Sequence, residues 1–219
     1  MNKQKVIDGL VNPGVVAILR ADSSKELIDA SGALIQGGVH AVEVTLTTPN
    51  ALQVIRDLKK EFGDRILLGV GSVLTEEQAA AAVEAGACYV ITPVVRPKVI
   101  EFCVRQSVVI CSGSYSPTEA LQSSELGADF VKIFPADGLG ANYIKAILAP
   151  MPHLAIIPTG GVDEKTCGAF IAAGCRAVAA GSSLVSKEIL KSQDWAKLTS
   201  QATKMVEAVR EARAKLKAS

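Results

Sequence analysis

The sequence predicts a (β/α)8 (TIM) barrel, a single-domain α/β fold in which eight parallel strands form a closed ring inside a layer of helices. Two observations lead to this prediction. Short apolar runs alternate with amphipathic segments eight times, and a weak glycine-valine repeat recurs in every second unit. The length of 219 residues fits one such barrel, so we assign residues 1–219 to one domain.

An open doubly wound sheet is the structural alternative, because it has the same alternation of strands and helices. Its usual signature is a glycine-rich turn after the first strand. The segment "GVGSVL" (residues 69–74) has two glycines but lacks the third glycine of the dinucleotide-binding fingerprint. The barrel is therefore favoured.

Eight apolar runs are the strand candidates. Each is short and rich in valine, isoleucine or alanine, as expected for strands that are buried on both faces. In chain order they are "VVAILR" (residues 15–20), "AVEVTL" (41–46), "ILLGVGSV" (66–73), "YVITPV" (89–94), "VVICSG" (108–113), "FVKIFPA" (130–136), "AIIPTGG" (155–161) and "AVAAGSS" (177–183).

Helical periodicity occupies the intervals between these runs. Examples are "KELIDASGALIQ" (residues 25–36), "EEQAAAAVEAG" (76–86) and "NYIKAILAP" (142–150). Three capping-box patterns mark helix starts, because a Ser or Thr and the Glu or Gln three residues later satisfy each other's backbone amides. They are "SSKE" (23–26), "TEEQ" (75–78) and "SPTE" (116–119).

Four segments share the form G-x-x-[A/F/Y]-V-x. Their glycines suit the left-handed position that ends a helix, and the valines begin strands two, four, six and eight. The residues after the aligned valines then occupy equivalent positions in the ring. These residues are Glu43 in "GVHAVE", Ile91 in "GACYVI", Lys132 in "GADFVK" and Ala179 in "GCRAVA".

Alternation along a strand decides which side chains face the barrel interior. In strand two Val42, Val44 and Leu46 are apolar and suit the surrounding helices. Glu43 and Thr45 are therefore expected to point inward.

The same register turns Lys132 and Phe134 of strand six inward. Strands two and six lie opposite each other in an eight-stranded ring. We therefore expect Glu43 and Lys132 to face each other across the barrel axis.

Lysine is rarely buried without a partner, because removing an ammonium group from water costs several kcal/mol, of order ~5. One interpretation is a structural salt bridge, although apolar residues of similar volume often stabilise a core as well. The other is chemistry: burial favours the neutral amine, which attacks carbonyl carbons to form an iminium, and a carboxylate opposite then moves protons. A nearby glutamate favours the charged amine instead, so the two effects compete.

The charged residues are nearly balanced, with 23 Lys and Arg, 22 Asp and Glu and a formal net charge of +1. This balance argues against a nucleic-acid binder but not against one local anion site. No apolar run approaches the roughly 18–20 residues of a membrane helix. The N-terminal "MNKQKVIDGL" lacks the apolar core of a signal peptide. We expect a cytoplasmic protein that binds neither nucleic acid nor a membrane.

The five cysteines are odd in number and include no CxxC pair. This pattern predicts buried free thiols in a reducing compartment rather than a metal site or a disulfide framework. The cysteines are Cys88, Cys103, Cys111, Cys167 and Cys175.

Six motifs occur in the order "VEVTL", "GVGSVLT", "ITPVV", "VKIFPA", "IPTGGV" and "GSSLV". In this order and over nearly the whole chain, they resemble the bacterial 2-dehydro-3-deoxyphosphogluconate (KDPG) / 4-hydroxy-2-oxoglutarate (KHG) aldolases. The pair "KIFPA" and "PTGG" is more specific than either motif alone. The resemblance implies a class I aldolase of (β/α)8 fold, a homotrimer with no metal ion or other cofactor.

The resemblance also implies roles for residues of the matched motifs. Lys132 corresponds to the Schiff-base lysine and Glu43 to the general acid/base. Ser72 stands where the family generally has threonine, near the carboxylate of the pyruvyl unit. Pro93 and Phe134 correspond to residues that pack against this unit.

Thr159, Gly160 and Gly161 in "IPTGGV", with Ser182 in "AGSSLV", match the family's phosphate-binding loops. The loops after strands seven and eight are also the recurring phosphate site of such barrels. Glycines allow backbone N–H groups to approach an anion, and a following helix N-terminus adds its dipole. The alternative is an ordinary strand-to-helix turn with Asp163 as its N-cap.

One departure from the family's pattern concerns the substrate carboxylate. Many phosphogluconate-type members read "EVTLRT", whereas this chain has Thr47 at the arginine position. A threonine offers one hydroxyl in place of a charged fork. Arg20, at the end of strand one, is the candidate replacement.

The expected reaction is cleavage of 2-dehydro-3-deoxy-6-phosphogluconate to pyruvate and glyceraldehyde 3-phosphate. The galactonate epimer and 4-hydroxy-2-oxoglutarate are alternative substrates for the same machinery. Two other functions remain open on the same fold. One is a sugar-phosphate isomerase or epimerase with Glu43 as base, and the other is a non-catalytic barrel that binds a phosphorylated metabolite.

Overall fold

A parallel eight-stranded sheet forms the centre of the computed structural model, which describes residues 2–20 and 24–218. The strands pair in the order β7-β6-β5-β4-β3-β2-β1-β8, and a parallel bridge between Thr159 and Ala179 brings the two outer strands together. The predicted barrel is confirmed. Its strands are β1 Val15–Leu19, β2 Ala41–Thr45, β3 Leu67–Gly71, β4 Tyr89–Ile91, β5 Val109–Ser114, β6 Phe130–Ile133, β7 Ile156–Pro158 and β8 Val178–Ala180.

Helices follow the strands and cover the outside of the ring. The three helical segments quoted from the sequence are confirmed, as α2, α4 and α7 of the following list. In the described part of the chain the α-helices are α1 Lys3–Val11, α2 Ser24–Gln36, α3 Ala51–Phe62, α4 Glu76–Ala85, α5 Pro97–Arg105, α6 Pro117–Glu125, α7 Gly140–Leu148, α8 Cys167–Ala172, α9 Lys187–Ser192 and α10 Trp195–Ala218.

Most of the predicted strands are too long at their C-terminal ends, and four of them, β4, β6, β7 and β8, end three residues early. β4 and β6 end at Ile91 and Ile133, three residues earlier than the apolar runs suggest. Pro93 and Pro135 lie just beyond these ends, and proline has no N–H to donate to a strand ladder. The chain is therefore free to leave the sheet at the rim where barrel enzymes place their chemistry.

The four repeat glycines end helices or the turns after them in the left-handed conformation, as predicted. This conformation is costly for residues with a Cβ atom, so each glycine fixes the point where a helix turns back toward the sheet. The φ angles are +87° at Gly38, +116° at Gly86, +95° at Gly127 and +106° at Gly174.

The barrel has two separate apolar layers. Val42 and Val44 pack outward against the helices, whereas Ile91 and Ala179 belong to a second cluster in the barrel interior. Glu43 is buried between these two valines and faces the interior. The predicted register of β2, β4, β6 and β8 is confirmed.

Helix α1, which the sequence analysis did not predict, closes the N-terminal end of the barrel. Val6 and Leu10 lie one turn apart and are buried in the interior cluster with Leu67 and Val109, the first residues of their strands. Gly9 lies so close to Leu67 that a Cβ atom at this position would overlap the leucine side chain. The interior is therefore covered at this end.

The last helix, α10, holds β1 and β8 together from outside. The guanidinium of Arg213 donates to the carbonyl oxygen of Pro13 at 3.1 Å and to that of Arg176 at 2.7 Å. These carbonyls precede β1 and β8 respectively. The interaction ties the start of the first strand to the start of the last one.

Two of the three predicted capping boxes are confirmed. Thr75 accepts from the amide of Gln78, and Ser116 accepts from the amide of Glu119. The carboxylate of Glu119 in turn accepts from the amides of Ser116 and Tyr115 at 2.8 Å, and these bonds lower the pKa of Glu119. The third pattern, residues 23–26, begins at Ser23, outside the described residues.

Candidate active site

Glu43 and Lys132 meet in the barrel interior. The Nζ atom of Lys132 lies 3.9 Å from Oε1 of Glu43, and the two side chains are 8 % and 1 % exposed. Their strands are opposite each other in the ring, as the spacing of the repeat predicts. A dry interior strengthens the attraction between opposite charges, so each group determines the electrostatic environment of the other.

Two glycines of β3 leave space for side chains of the neighbouring strands. Gly71 lies directly beneath the carboxylate of Glu43, and a Cβ atom at residue 71 would overlap Oε1. Gly69 lies beneath the ring of Tyr89 in the same way. The segment "GVGSVL", which lacks the third glycine of a dinucleotide-binding fingerprint, therefore leaves space inside the barrel for these two side chains.

Two buried oxygen atoms of the site have no hydrogen-bond partner among the residues that the structure describes. They are Oε2 of Glu43 and Oγ1 of Thr159. Buried polar atoms in folded proteins are nearly always satisfied by protein groups or ordered water. The interior is thus equipped to bind polar atoms of a ligand beside the Lys132 amine.

Phe134 lies one layer above Lys132, toward the C-terminal rim. Its ring centroid is 5.2 Å from Nζ of Lys132, and the residue is 36 % exposed. This is cation–π distance, so the ring covers the amine from the side of the solvent. An apolar wall at this point limits how much water reaches the ion pair.

Ser72 and Pro93 follow β3 and β4 at the same rim. Ser72 has a φ of +62°, a left-handed conformation that is uncommon for a residue other than glycine and is enriched at functional sites. The carbonyl group of Pro93 is packed so tightly on Gly113 that a Cβ atom there would overlap it. Both residues therefore lie where the strands present their C-terminal ends.

The predicted phosphate-binding residues line a single cavity of about 500 Å³. Its lining has two cations, Arg20 and Lys187, and no carboxylate among the described residues. Such a lining favours an anion. The cavity includes Ile18, Phe134, Thr159, Gly160, Gly161, Val162, Ala179, Gly181, Ser182, Ser183 and Val185.

The helix expected directly after the β7 loop begins later than predicted. Asp163 accepts from the amides of Lys165 and Thr166 at 2.8 Å, forming a turn, and α8 starts at Cys167. The interpretation of Asp163 as the N-cap of the helix is therefore wrong. This loop can therefore bind an anion through the backbone amides of Gly160 and Gly161 rather than through a helix dipole. The φ angles of these glycines are +101° and +65°.

Thr47 and Arg20 line a second cavity of about 440 Å³ on the β1–β2 side of the rim. The hydroxyl of Thr47 is 2.8 Å from that of Thr45, which points into the barrel from β2. Arg20 and Lys187 line both cavities and therefore stand between them. From the sequence, Lys187 near the end of strand eight could assist an anion, but a solvated charge is the favoured interpretation; in the structure it lines both cavities.

The described residues contain no group of three or more His, Cys, Asp or Glu side chains that are arranged to hold a metal ion. Among these residues, too, no helix has the length and apolar character needed to cross a membrane.

Comparison with known proteins identifies the family. The family profile described as "KDPG and KHG aldolase" matches residues 6–201, which is most of the chain. The chain belongs to this family of aldolases. Membership makes it an aldehyde-lyase and decides against the isomerase and the non-catalytic barrel as its function.

Two relatives are each named for one sugar-acid substrate. The chain is 36 % identical over 199 residues to the 2-dehydro-3-deoxy-6-phosphogalactonate aldolase of Escherichia coli K12, covering 90 % of this chain and 95 % of the relative. It is 32 % identical over 195 residues to the 2-dehydro-3-deoxy-phosphogluconate aldolase of Treponema pallidum, covering 89 % and 92 %. The family is thereby shown, and the two relatives act on different sugar-acid epimers.

A solved structure adds the class of mechanism. The KDPG aldolase of Legionella pneumophila, described with pyruvate captured as a covalent carbinolamine, superposes with a TM-score of 0.81. It is 27 % identical and covers 93 % of this chain and 97 % of its own. A carbinolamine is the adduct of an amine on a carbonyl carbon, which is the first step of Schiff-base catalysis. The chain is a class I aldolase.

A methyl group at residue 71 tests the geometry of the site. Gly71→Ala places a Cβ atom where Oε1 of Glu43 lies, so the carboxylate must move. We expect aldol cleavage to slow by about 100-fold, the effect of displacing a reacting group by about 1 Å. Steady-state kinetics on protein with an unchanged circular dichroism spectrum measures this.

Gly168→Ala in α8 is the matched control, since a Cβ atom there meets only ordinary contacts at 3.8 Å. This variant is expected to keep wild-type kinetics. Equal activity of the two variants would show that the position of Glu43 is not constrained by Gly71.

Proposed function

We propose that this protein cleaves a 2-keto-3-deoxy-6-phospho sugar acid, 2-dehydro-3-deoxy-6-phosphogluconate, to pyruvate and glyceraldehyde 3-phosphate. The observation that carries the proposal is the Lys132–Glu43 pair, 3.9 Å apart in the barrel interior, covered by Phe134. Phe134 also lines the cavity that contains the predicted phosphate loops. An amine, a carboxylate and an anion pocket are thus close together, as cleavage of a phosphorylated keto acid requires.

Lys132 supplies the nucleophile of the proposed reaction. Its neutral amine attacks the C2 carbonyl carbon to give a carbinolamine, which loses water to form an iminium. Glu43, directly or through a water molecule, takes the proton of the C4 hydroxyl as the C3–C4 bond breaks. The electron pair of that bond moves into the iminium, so an enamine forms and the aldehyde is released.

The second half of the reaction restores the enzyme. The enamine is protonated at C3 by Glu43, which now carries the proton from the C4 hydroxyl. Water then adds to the resulting iminium, and pyruvate leaves as the amine of Lys132 is regenerated. Protons balance over the cycle, and no redox step occurs.

The remaining predicted site residues bind the substrate in this proposal. Arg20, with Thr47 and Ser72, holds the carboxylate next to the C2 carbon, and Pro93 and Phe134 pack against the pyruvyl unit. A carboxylate suits the guanidinium fork of arginine, which forms two parallel charge-assisted hydrogen bonds.

The loops after β7 and β8 bind the phosphate. Thr159, Gly160, Gly161 and Ser182, whose amides and hydroxyl groups would bind the phosphate, all line the cavity described above. Arg20 stands between this cavity and that of Thr47. Arg20 is therefore near both the proposed carboxylate site and the proposed phosphate site.

The galactonate epimer is the second candidate substrate. It is favoured by the higher identity to the E. coli phosphogalactonate enzyme, 36 % against 32 % for the T. pallidum phosphogluconate enzyme. The epimers differ in the configuration at C4, the carbon whose hydroxyl Glu43 deprotonates. Pyruvate release from each epimer, followed with a coupled dehydrogenase, decides between them. 4-Hydroxy-2-oxoglutarate is the third, because it needs no phosphate loop.

Covalent trapping tests the proposed nucleophile. Borohydride added with pyruvate is expected to reduce the iminium and leave a stable adduct on the peptide that contains Lys132. Lys132→Met is expected to abolish both the adduct and cleavage, because methionine fills a similar volume but has no amine. Mass spectrometry of the digested protein measures the adduct.

Two companion variants keep this test interpretable. Lys132→Met leaves Glu43 buried without a counter-charge, which costs about 3–5 kcal/mol, so Glu43→Gln/Lys132→Met provides a folded reference without either charge. Glu43→Gln alone is expected to form the adduct but to slow cleavage by about 10²–10⁴-fold. Turnover by a folded Lys132→Met protein would rule out the proposed mechanism.

Two substrates separate the carboxylate and phosphate contacts. Arg20→Ala is expected to lower kcat/KM by about 10–100-fold for both the phosphorylated sugar acid and 4-hydroxy-2-oxoglutarate, since both carry the carboxylate. Ser182→Ala is expected to lower kcat/KM about 10-fold for the phosphorylated substrate alone. An Arg20→Ala protein with full activity on both substrates would refute the carboxylate assignment.

We also propose a homotrimer. Leu74, Val94 and Tyr115 are each more than 40 % exposed and lie in the loops after β3, β4 and β5, on one side of the rim. Large exposed apolar side chains grouped in neighbouring loops are typical of a protein interface. Light scattering is expected to give three times the 22.8 kDa chain mass; a monomer at micromolar concentration would refute the proposal.

A cytoplasmic location remains part of the proposal. All five cysteines are free and at least half-buried, and burial raises the pKa of Cys103, Cys111 and Cys175 to about 12. Thiols of this kind are inert and suit a reducing compartment. A disulfide in protein isolated without reductant would count against this location.

A further inference from the structure

Tyr89 is a buried hydroxyl group for which neither the fold nor the proposed mechanism accounts. The residue is 1 % exposed and belongs to the interior cluster, and its buried Oη atom has no hydrogen-bond partner within residues 2–20 and 24–218. Buried tyrosine hydroxyls usually have a partner, because an unsatisfied one costs about 1–3 kcal/mol. A leucine or phenylalanine would fill the barrel without this cost.

The ring of Tyr89 extends from β4 toward Glu43. Glu43, Gly69 and Tyr89 are register partners across β2, β3 and β4, so they form one row on the inner face of the sheet. The ring lies over Gly69, which has no side chain to block it. Adjacent strands are about 4.8 Å apart, so the hydroxyl end of the ring extends across β3 toward Glu43 on β2.

The carboxylate of Glu43 points along the barrel axis toward the C-terminal rim. It lies over Gly71, one layer nearer the rim, and its Oε2 atom is buried with no hydrogen-bond partner among the described residues. Two unsatisfied buried oxygens, one a donor and one an anionic acceptor, therefore lie one layer apart on the inner face of the barrel. A water molecule between such groups forms nearly as good a link as a direct hydrogen bond.

The phenol remains protonated while it does this. Burial raises the pKa of Tyr89 well above its usual value, and the nearby carboxylate of Glu43 raises it further. Cys111, facing the interior from β5, keeps its proton as well, since burial raises its pKa to about 12. Lys132 faces Glu43 from β6 and is its ionic partner.

We propose that Tyr89 is a positioning residue for Glu43: its O–H donates, through one buried water molecule, to Oε2 of the carboxylate. This bond holds the ionised carboxylate over Gly71 with Oε1 toward Lys132. It stabilises the charged, proton-accepting form of Glu43 that bond cleavage requires. The inference rests on the proposed role of Glu43 and adds what keeps this residue ionised.

Tyr89→Phe removes the hydroxyl and keeps the ring over Gly69. A hydrogen bond to a charged group favours its ionised form, so losing it moves the acidic limb of the kcat/KM profile to higher pH. We expect a shift of about one pH unit and a fall in kcat of about 10-fold near that limb. KM is expected to stay near the wild-type value, and borohydride trapping of pyruvate at high pH is expected to be unchanged.

Two further proteins complete the experiment. Tyr143→Phe is the matched control, because it removes a hydroxyl that donates to the carbonyl of Tyr115 at 2.8 Å, outside the barrel interior; its pH profile is expected to match the wild type. Difluorotyrosine at position 89 is a stronger donor of nearly the same size. It is expected to move the acidic limb to lower pH, and it gives a readout if Tyr89→Phe folds poorly.

The outcomes separate this inference from the proposed function. A wild-type protein without aldol cleavage would refute the proposed function. An active wild type whose acidic limb is the same with tyrosine, phenylalanine or difluorotyrosine at residue 89 would refute the positioning role alone. Opposite shifts for the two substitutions would support it, since a purely structural hydroxyl does not move the pH profile.

Discussion

The contact between Lys132 and Glu43 is the interaction on which the rest of this structure depends. At 3.9 Å in a nearly dry interior, the pair is too costly to maintain for stability alone, because apolar side chains of similar volume would serve as well. Burial favours the neutral form of an amine, and a neighbouring carboxylate favours its charged form. The balance between these two effects places a nucleophile beside a group that can accept the proton of a substrate hydroxyl, which is what class I aldol chemistry requires.

The small residues of β3 determine how the interior can be occupied. Gly69 and Gly71 alternate with outward-facing Val70, so both leave gaps on the inner face of the strand. One gap receives an aromatic ring from β4 and the other a carboxylate from β2. Packing in this layer therefore depends on the absence of side chains at Gly69 and Gly71, and a larger residue at either position would displace the ring or the carboxylate.

Much of this arrangement could be predicted from the sequence. The repeat fixes the register of alternate strands, and the apolar alternation around Glu43 fixes its direction, so the meeting with Lys132 follows from counting strands. The role of Gly71 could not be predicted, because it depends on the rotamer of a residue in another strand. The late start of α8 at Cys167 could not be predicted for a similar reason. Asp163 is a residue type that caps helices, but here its carboxylate accepts a backbone amide within a turn.

Helix α1 escaped because its two buried residues, Val6 and Leu10, find a partner surface only after the ring has closed. Because this helix closes the N-terminal end, the described residues leave the barrel interior open at the C-terminal rim, beyond Phe134. In the proposed reaction the pyruvyl unit is attached inside the barrel, and the aldehyde lies between it and the rim. The aldehyde departs first because the pyruvyl unit stays covalently attached to Lys132 until the iminium is hydrolysed, and the closed N-terminal end directs both products out through the same rim.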